Sequence, residues 1–126
     1  MKKIVAVLII AINLLSCVQE EYNKTITFLV DTNGIENIKS LGIRGDFLPT
    51  RWSESIPMTD ENNDGVYEIT FKEKTAIYGI SFKFVKNGFD YELKNQDNRE
   101  IVFEYKPETI IYKTTFNKPE NEIIRK

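Results

Sequence analysis

The segment Tyr78–Gly88 reads YGISFKFVKNG, and its alternation decides the fold class. Ile80, Phe82 and Phe84 occupy alternate positions, and polar residues such as Lys83 lie between them. Because successive side chains of a strand point to opposite faces, this pattern is typical of a strand with one buried face. The Asn-Gly pair that follows is typical of a tight turn. The segment therefore predicts a β-strand that ends in a reversal of the chain.

The same alternation recurs on both sides of this strand. It predicts a buried face made of Ile26, Phe28, Val30, Leu41, Ile43, Tyr67, Ile69 and Phe71. Shorter strands are expected near residues 91–94, 101–105 and 110–116, separated by turn-forming residues. No window after residue 24 holds an apolar helical period for three turns. We therefore predict an all-β domain, an antiparallel sandwich of seven or eight strands.

The composition excludes several kinds of functional site. The 126 residues include no histidine and one cysteine, which excludes His-assisted nucleophilic catalysis, His-ligated metals and an intrachain disulfide. A formal charge of -2 offers no basic patch for nucleic acid. Aromatic residues make up 12% of the chain, enough to supply both a core and a binding face. The sequence thus favours binding over catalysis, and we expect no cofactor.

The N-terminal residues 1–16 are typical of a signal peptide. Met1–Lys3 is a positive n-region, and Ile4–Leu15 is an apolar run too short to span a membrane. The run leads into Leu14–Cys17, which resembles the lipobox of bacterial lipoproteins, in which the cysteine is acylated and becomes the new N-terminus. An ordinary signal peptide that happens to end beside a cysteine is the alternative.

These features predict four segments. They are a cleaved lipoprotein signal peptide (1–16), a lipidated tether (17–24), the β-sandwich (25–116) and an exposed tail (117–126). We expect membrane attachment through Cys17 at the bacterial cell envelope, at the outer membrane, on a side that the sequence leaves open. Gln19–Glu21 resembles the surface-export signal of some Bacteroidetes lipoproteins, and it is equally well interpreted as a solvated linker.

Neither a metal site nor a catalytic pair is predicted. Asp60–Gly65 matches the first half of a calcium loop, but Phe71 stands where the loop needs its bidentate Glu. A polar turn that leads into a strand is the favoured interpretation. Carboxylates are scattered singly, with no visible pair of the glycosidase kind. We therefore expect a protein that is not an enzyme.

An ordered set of short motifs lies between Gly45 and Arg99. In sequence order the motifs are Gly45–Phe47, Arg51–Ser53, Ile56–Thr59, Asp64–Tyr67, Phe82–Gly88 and Asp97–Arg99. This order resembles that of the starch- and glycogen-binding modules, carbohydrate-binding module families 20 and 48. The resemblance implies an immunoglobulin-like β-sandwich that binds α-glucans without hydrolysing them.

The resemblance also implies roles for individual side chains. Trp52 matches the first stacking tryptophan of these modules, and Lys83 matches a lysine that lies near the sugar. Asn98 matches the asparagine of their D-P-N-R segment. Tyr91 is the best candidate for the second stacking ring, and Phe89 is the next. Such rings pack flat on the C–H face of a pyranose, and polar groups beside them bind its hydroxyls.

We therefore expect a non-catalytic, lipid-anchored protein that holds an α-glucan for glycan-processing enzymes or an uptake complex. The alternative is a structural or protein-interaction module of the envelope, with Trp52 as an anchor for a partner protein. The position of the aromatic rings separates the two. Trp52 and Tyr91 on one exposed face, with Lys83 and Asn98 at its rim, favour sugar binding, whereas a Trp52 within the core favours a protein partner.

Overall fold

The computed structural model describes residues 19–126, which form a two-layer β-sandwich. Nine strands follow one another: β1 (Tyr22–Asp31), β2 (Leu41–Gly45), β3 (Ile56–Pro57), β4 (Val66–Thr75), β5 (Gly79–Lys86), β6 (Asp90–Tyr91), β7 (Arg99–Val102), β8 (Glu108–Thr115) and β9 (Asn121–Arg125). No helix in residues 19–126 has the length and apolar character needed to cross a bilayer. The predicted signal peptide and Cys17 lie outside the described residues.

The strands form two sheets that face each other. The four-stranded sheet has the order β4-β1-β8-β9, and the five-stranded sheet has the order β3-β2-β5-β6. Strand β7 also pairs with β5, along its N-terminal half. All pairs are antiparallel except β1 and β8, which run parallel. The predicted all-β sandwich is confirmed, with nine strands in residues 19–126 rather than seven or eight, and with one parallel pair that the sequence pattern did not indicate.

The core joins the two sheets through aromatic rings. Phe28 and Tyr112 project from the four-stranded sheet, and Phe82 and Phe84 project from the other; all four are fully buried. The ring centroids of Phe28 and Phe82 are 4.9 Å apart, and those of Phe82 and Tyr112 are 5.1 Å apart. Both pairs meet edge to face, the favourable arrangement for aromatic quadrupoles. The period-2 pattern of the sequence thus predicted Phe28, Phe82 and Phe84 correctly as core residues, whereas the predicted buried residues of β4, Tyr67, Ile69 and Phe71, are only partly buried against this core.

A buried ion pair lies beside this core. Arg99 Nε donates to Glu92 Oε2 at 2.7 Å, and Nη2 donates to Oε1 at 2.8 Å. The guanidinium also donates to Thr114 Oγ1 at 2.8 Å and to the Lys118 carbonyl at 2.6 Å, both in the other layer. Tyr112 completes the set through its hydroxyl, at 3.3 Å. Every described buried side-chain polar atom has a partner, so these charges are compensated.

Glu92 also fills the gap between β6 and β7, which both pair with β5. Its carboxylate accepts the backbone N–H of Phe84 at 2.9 Å, and its own N–H donates to the Phe84 carbonyl at 3.1 Å. The other carboxylate oxygen accepts the N–H of Asn117 at 3.0 Å. One side chain thus continues the hydrogen bonding of the sheet where the strand partner is interrupted.

The segment boundaries differ from the sequence prediction at both ends of the sandwich. Strand β1 begins at Tyr22 rather than at residue 25. Residues 117–126, predicted as an exposed tail, contain β9, which pairs with β8 and packs Ile123 against the core. The pattern missed β9 because it is an edge strand with mostly exposed side chains, so it lacks a clean apolar alternation. Its backbone pairs β8 along the side that β1 does not occupy.

Removal of the buried cation should destabilise the domain strongly. Arg99→Met leaves the Glu92 carboxylate buried without its ion partner, and we expect a loss of about 3–5 kcal/mol in the free energy of unfolding. Urea unfolding followed by circular dichroism measures this loss. Lys106→Met is the matched control, because Lys106 pairs with Glu104 in full solvent exposure. Equal stability of the two variants would contradict the role given to the buried pair.

Burial of Tyr112 should make the fold sensitive to alkali. Burial raises the pKa of Tyr112 above its ordinary value near 10, and its bond to Arg99 opposes this only in part. A raised pKa favours the neutral phenol in the folded state, so this contribution to stability is present below pH 10 and is lost as pH rises through the folded pKa. We expect Tyr112 to ionise only with unfolding, measured by tyrosinate absorbance. In Tyr112→Phe the alkaline loss of stability should be shallower; an unchanged slope contradicts this assignment.

Candidate functional site

The outer face of the five-stranded sheet carries most of the residues that the sequence singles out. Arg44 on β2 stands opposite Lys83 on β5, and Tyr91 on β6 stands opposite Val85. Paired residues share a face of the sheet, and the neighbouring Phe84 points into the core. The side chains of Arg44, Lys83 and Tyr91 therefore project from the side of the sheet that faces away from the core.

Arg44 holds Trp52 and Tyr91 together on this face. Its Nη1 donates to the Trp52 carbonyl and to the Tyr91 hydroxyl, both at 3.0 Å. The Tyr91 hydroxyl donates to the same Trp52 carbonyl at 3.0 Å. The guanidinium carbon lies 5.1 Å from the Tyr91 ring centroid, within cation–π range. Two residues that lie 39 positions apart in sequence are thereby fixed next to each other.

A close approach of backbone lays the Trp52 segment against the sheet. A Cβ atom on Gly42 would lie 2.8 Å from the Cβ of Ser55, so only glycine fits at this point of β2. Ser55 Oγ also accepts the Nε–H of Arg44 at 3.0 Å. Arg51, next to Trp52, has a φ of 49°, which is uncommon for a side chain of this size. The segment is therefore held in one specific conformation.

The aromatic side chains of this region lie outside the core. Trp52 is half-buried and belongs neither to the core cluster nor to the apolar residues packed against it. Phe89 is 77% exposed and follows the turn at Asn87 and Gly88, whose φ values of 54° and 85° are those of a tight hairpin turn. Tyr91 is half-buried. We call Trp52, Phe89 and Tyr91 the aromatic platform.

Lys83 does not extend freely into solvent. Its Nζ donates to the carbonyls of Leu93 and Gln96, at 3.0 and 2.9 Å. These bonds use two of its three donors and tie down the loop of residues 92–98. Leu93 has a φ of 48°, a strained value for a bulky residue, and its N–H donates to Asn117 Oδ1 at 2.8 Å. The geometry makes Lys83 a residue that positions this loop, with one donor left over.

Asn98 lies at the far end of the same loop. It is exposed, and its side-chain amide makes no hydrogen bond within residues 19–126. Arg99, which follows it, begins β7, pairs with Phe82 and points inward. Asn98 lines a polar cleft of about 490 Å³ with Gln96 and Asn121.

A second polar cleft, of about 340 Å³, lies beside the Tyr91 ring. Lys86 and Lys94 line it, and both pair with Asp90, at 3.5 and 2.9 Å. The hydrogen bond from Lys94 holds the pKa of Asp90 below its usual value. Gln96 lines this cleft as well as the first. Polar side chains thus line both clefts, and their donors and acceptors are of the kind that can hydrogen-bond hydroxyl groups.

The Asp60–Gly65 segment uses its oxygen atoms within its own turn. The Asp60 carboxylate accepts the N–H groups of Asp64 and Gly65, at 3.2 and 3.0 Å. Asp64 Oδ1 accepts the N–H of Val66 at 2.8 Å, and this bond lowers the pKa of Asp64. Within residues 19–126 no three acidic or cysteine side chains cluster as metal ligands.

The structure brings three of the four predicted binding residues to one face and shows what sequence reasoning missed. Trp52 and Tyr91 lie together, Lys83 adjoins them, and Asn98 lies across the 92–98 loop from Tyr91. Arg44 was missed. Arg44 differs from its neighbours only as a half-exposed arginine between two buried positions of β2. Such a position does not by itself indicate a function.

The comparisons with known proteins show the fold. No family model matches the sequence, and no curated protein matches it. Among solved structures, the solution structure of the CBM25-2 module of a beta/alpha-amylase from Paenibacillus polymyxa is similar, with a TM-score of 0.50 and 16% identity. The match covers 83% of this chain and 94% of that chain. The sandwich therefore has a fold similar to that of this module, whereas membership of families 20 and 48 stays a prediction.

Removal of the Lys83 ammonium should loosen one loop and leave the sandwich intact. Lys83→Met deletes two charge-assisted hydrogen bonds to the 92–98 loop, each worth about 1.5–3 kcal/mol. We expect faster amide exchange of residues 93–98 by hydrogen–deuterium exchange, with β1, β5 and β8 unchanged. Lys113→Met, on an exposed position of β8, is the control. If the amides of residues 93–98 are protected equally in Lys83→Met and in the control, Lys83 does not hold the loop.

Proposed function

We propose that this protein binds a carbohydrate of the α-glucan class on the outer face of its five-stranded sheet. The observation that carries the proposal is the shared hydrogen bonding of Arg44, the Trp52 carbonyl and the Tyr91 hydroxyl, which fixes the Trp52 backbone beside the Tyr91 side chain outside the core. A platform fixed in advance loses little conformational freedom on binding, so weak stacking contacts retain more of their free energy.

The chemistry of the surrounding surface suits a sugar. Phe89 offers an exposed ring without polar groups, which complements the C–H face of a pyranose. Gln96, Asn98 and the third donor of Lys83 lie on or against the 92–98 loop and can hydrogen-bond sugar hydroxyls. Two rings on a rigid surface fit a chain that presents successive sugar faces, and binding along a polymer adds affinity through multivalency.

Two further arguments support the glucan class in particular. The motif order of the sequence resembles starch- and glycogen-binding modules, and the similar solved structure is a module of an amylase. In this proposal the protein binds the glucan and does not hydrolyse it. The described residues around the platform supply the binding groups. It holds the polysaccharide for glycan-processing enzymes or an uptake complex formed by other chains.

The proposal includes a lipid anchor. The Leu14–Cys17 motif supports acylation of Cys17 after cleavage of the signal peptide, and attachment to the bacterial cell envelope at the outer membrane. A glucan binder fixed to a membrane keeps a large polymer close to that membrane. Stable anchoring requires more than one acyl chain, which lipoprotein processing supplies.

Retention on insoluble amylose tests the proposal. We expect binding that maltoheptaose competes, and a loss of about tenfold in affinity, equivalent to about 1.4 kcal/mol, in Trp52→Ala and in Phe89→Ala. Tyr105→Ala is the matched control, since Tyr105 is an equally exposed ring at the other end of the sandwich. Folded protein that amylose does not retain would contradict the proposal and favour the protein-interaction alternative.

A further inference from the structure

Exposed apolar side chains gather at one end of the sandwich. Four of the five large, exposed apolar residues in the described chain lie there: Ile77 at 45%, Tyr78 at 76%, Val102 at 60% and Tyr105 at 72% exposure. The fifth is Phe89 of the platform. Gly79 pairs with Val102, and the Phe103 N–H donates to the Tyr78 carbonyl at 2.7 Å, so the two segments adjoin. We call this group of four the apolar end.

The described chain begins at the same end. Tyr22, the first residue of β1, pairs with Thr75, two residues before Ile77. Gln19 and Glu21 line a cleft of about 700 Å³ with Ile77 and Tyr78. The sandwich therefore presents its exposed apolar side chains beside the point at which its N-terminal segment enters the fold.

The distance to the proposed acylation site is short. Only two residue steps separate Gln19 from Cys17, and an extended chain covers at most about 7 Å in two steps. An acyl group on Cys17 would hold the apolar end against the bilayer surface. The short link to Cys17 brings the lipid to the apolar end, whereas it does not bring a protein partner there.

We propose that the apolar end rests in the headgroup region of the membrane and orients the sandwich. This inference rests on the proposed acylation of Cys17. Tyrosine suits the membrane interface because its ring is apolar and its hydroxyl stays hydrated. The contact supplies a second membrane signal beside the acyl chains and removes an apolar patch from water.

The orientation exposes the Phe89 end of the aromatic platform. Strand β5 runs from Gly79 at the apolar end to Lys86, next to the turn that carries Phe89, and eight antiparallel residues span about 24 Å. Phe89 is thereby held away from the lipid, where a polysaccharide reaches it without contact with the headgroups. In this arrangement the apolar end contacts the membrane, and the aromatic platform contacts the polysaccharide.

Fluorescence quenching by brominated phospholipid tests the inference on the acylated, mature protein. The protein is reconstituted into phosphatidylethanolamine–phosphatidylglycerol vesicles, after mass spectrometry of its N-terminal peptide has established the lipid on Cys17. The chain has one tryptophan, so in a Trp52→Phe background each newly introduced tryptophan is the only one in the protein. Tyr105→Trp in that background reports on the apolar end, and Phe89→Trp is the matched reporter at the platform.

We expect strong quenching of the reporter at position 105 and little at position 89. Equal quenching of the two, or stronger quenching at position 89, would overturn the orientation. An acylated protein with no quenching at position 105 would also overturn it and would favour a protein partner at the apolar end. A Cys17 without lipid would overturn the anchor together with this inference, whereas amylose retention tests the platform independently.

Discussion

The buried pair of Glu92 and Arg99 is the constraint on which the rest of the structure depends. Two opposite charges in a small core are tolerated only if every donor and acceptor around them is satisfied. Satisfying them requires Thr114 and the 115–118 turn from one layer and the Phe84 backbone from the other. The two sheets are consequently fixed in register at this point, beyond what non-directional apolar packing would specify.

The candidate site follows from that constraint. Because Glu92 takes the place of a strand partner for β5, β6 ends at Tyr91 and the chain leaves the sheet as the 92–98 loop. Lys83 ties this loop from the outer face, and Arg44 ties Tyr91 to the Trp52 segment. The strained φ of Leu93 persists because surrounding bonds over-determine it, a pattern typical of binding sites. The platform is thus supported by a rigid sheet.

Sequence patterning predicted the sandwich and its core because each inward face is a period-2 run, as in Ile80, Phe82 and Phe84. It failed for β9, an edge strand whose side chains stay largely in water. At the site, Trp52 and Tyr91 were predicted as binding residues from the resemblance of the ordered motifs to starch- and glycogen-binding modules, and these roles stay predictions. Their contact through Arg44 was not predicted, because a pairing of residues 39 positions apart depends on sheet register and loop path, which local sequence does not encode.

We propose that the outer face of the five-stranded sheet, where Arg44 joins Trp52 and Tyr91, binds sugar. The most direct measurement is a ¹⁵N–¹H NMR titration of the folded domain with maltoheptaose. We expect shifts of the Trp52 indole N–H and of backbone amides at Phe89, Tyr91 and Asn98, with β1 and β8 unaffected. Absence of shifts at millimolar sugar, or shifts confined to the four-stranded sheet, would contradict it.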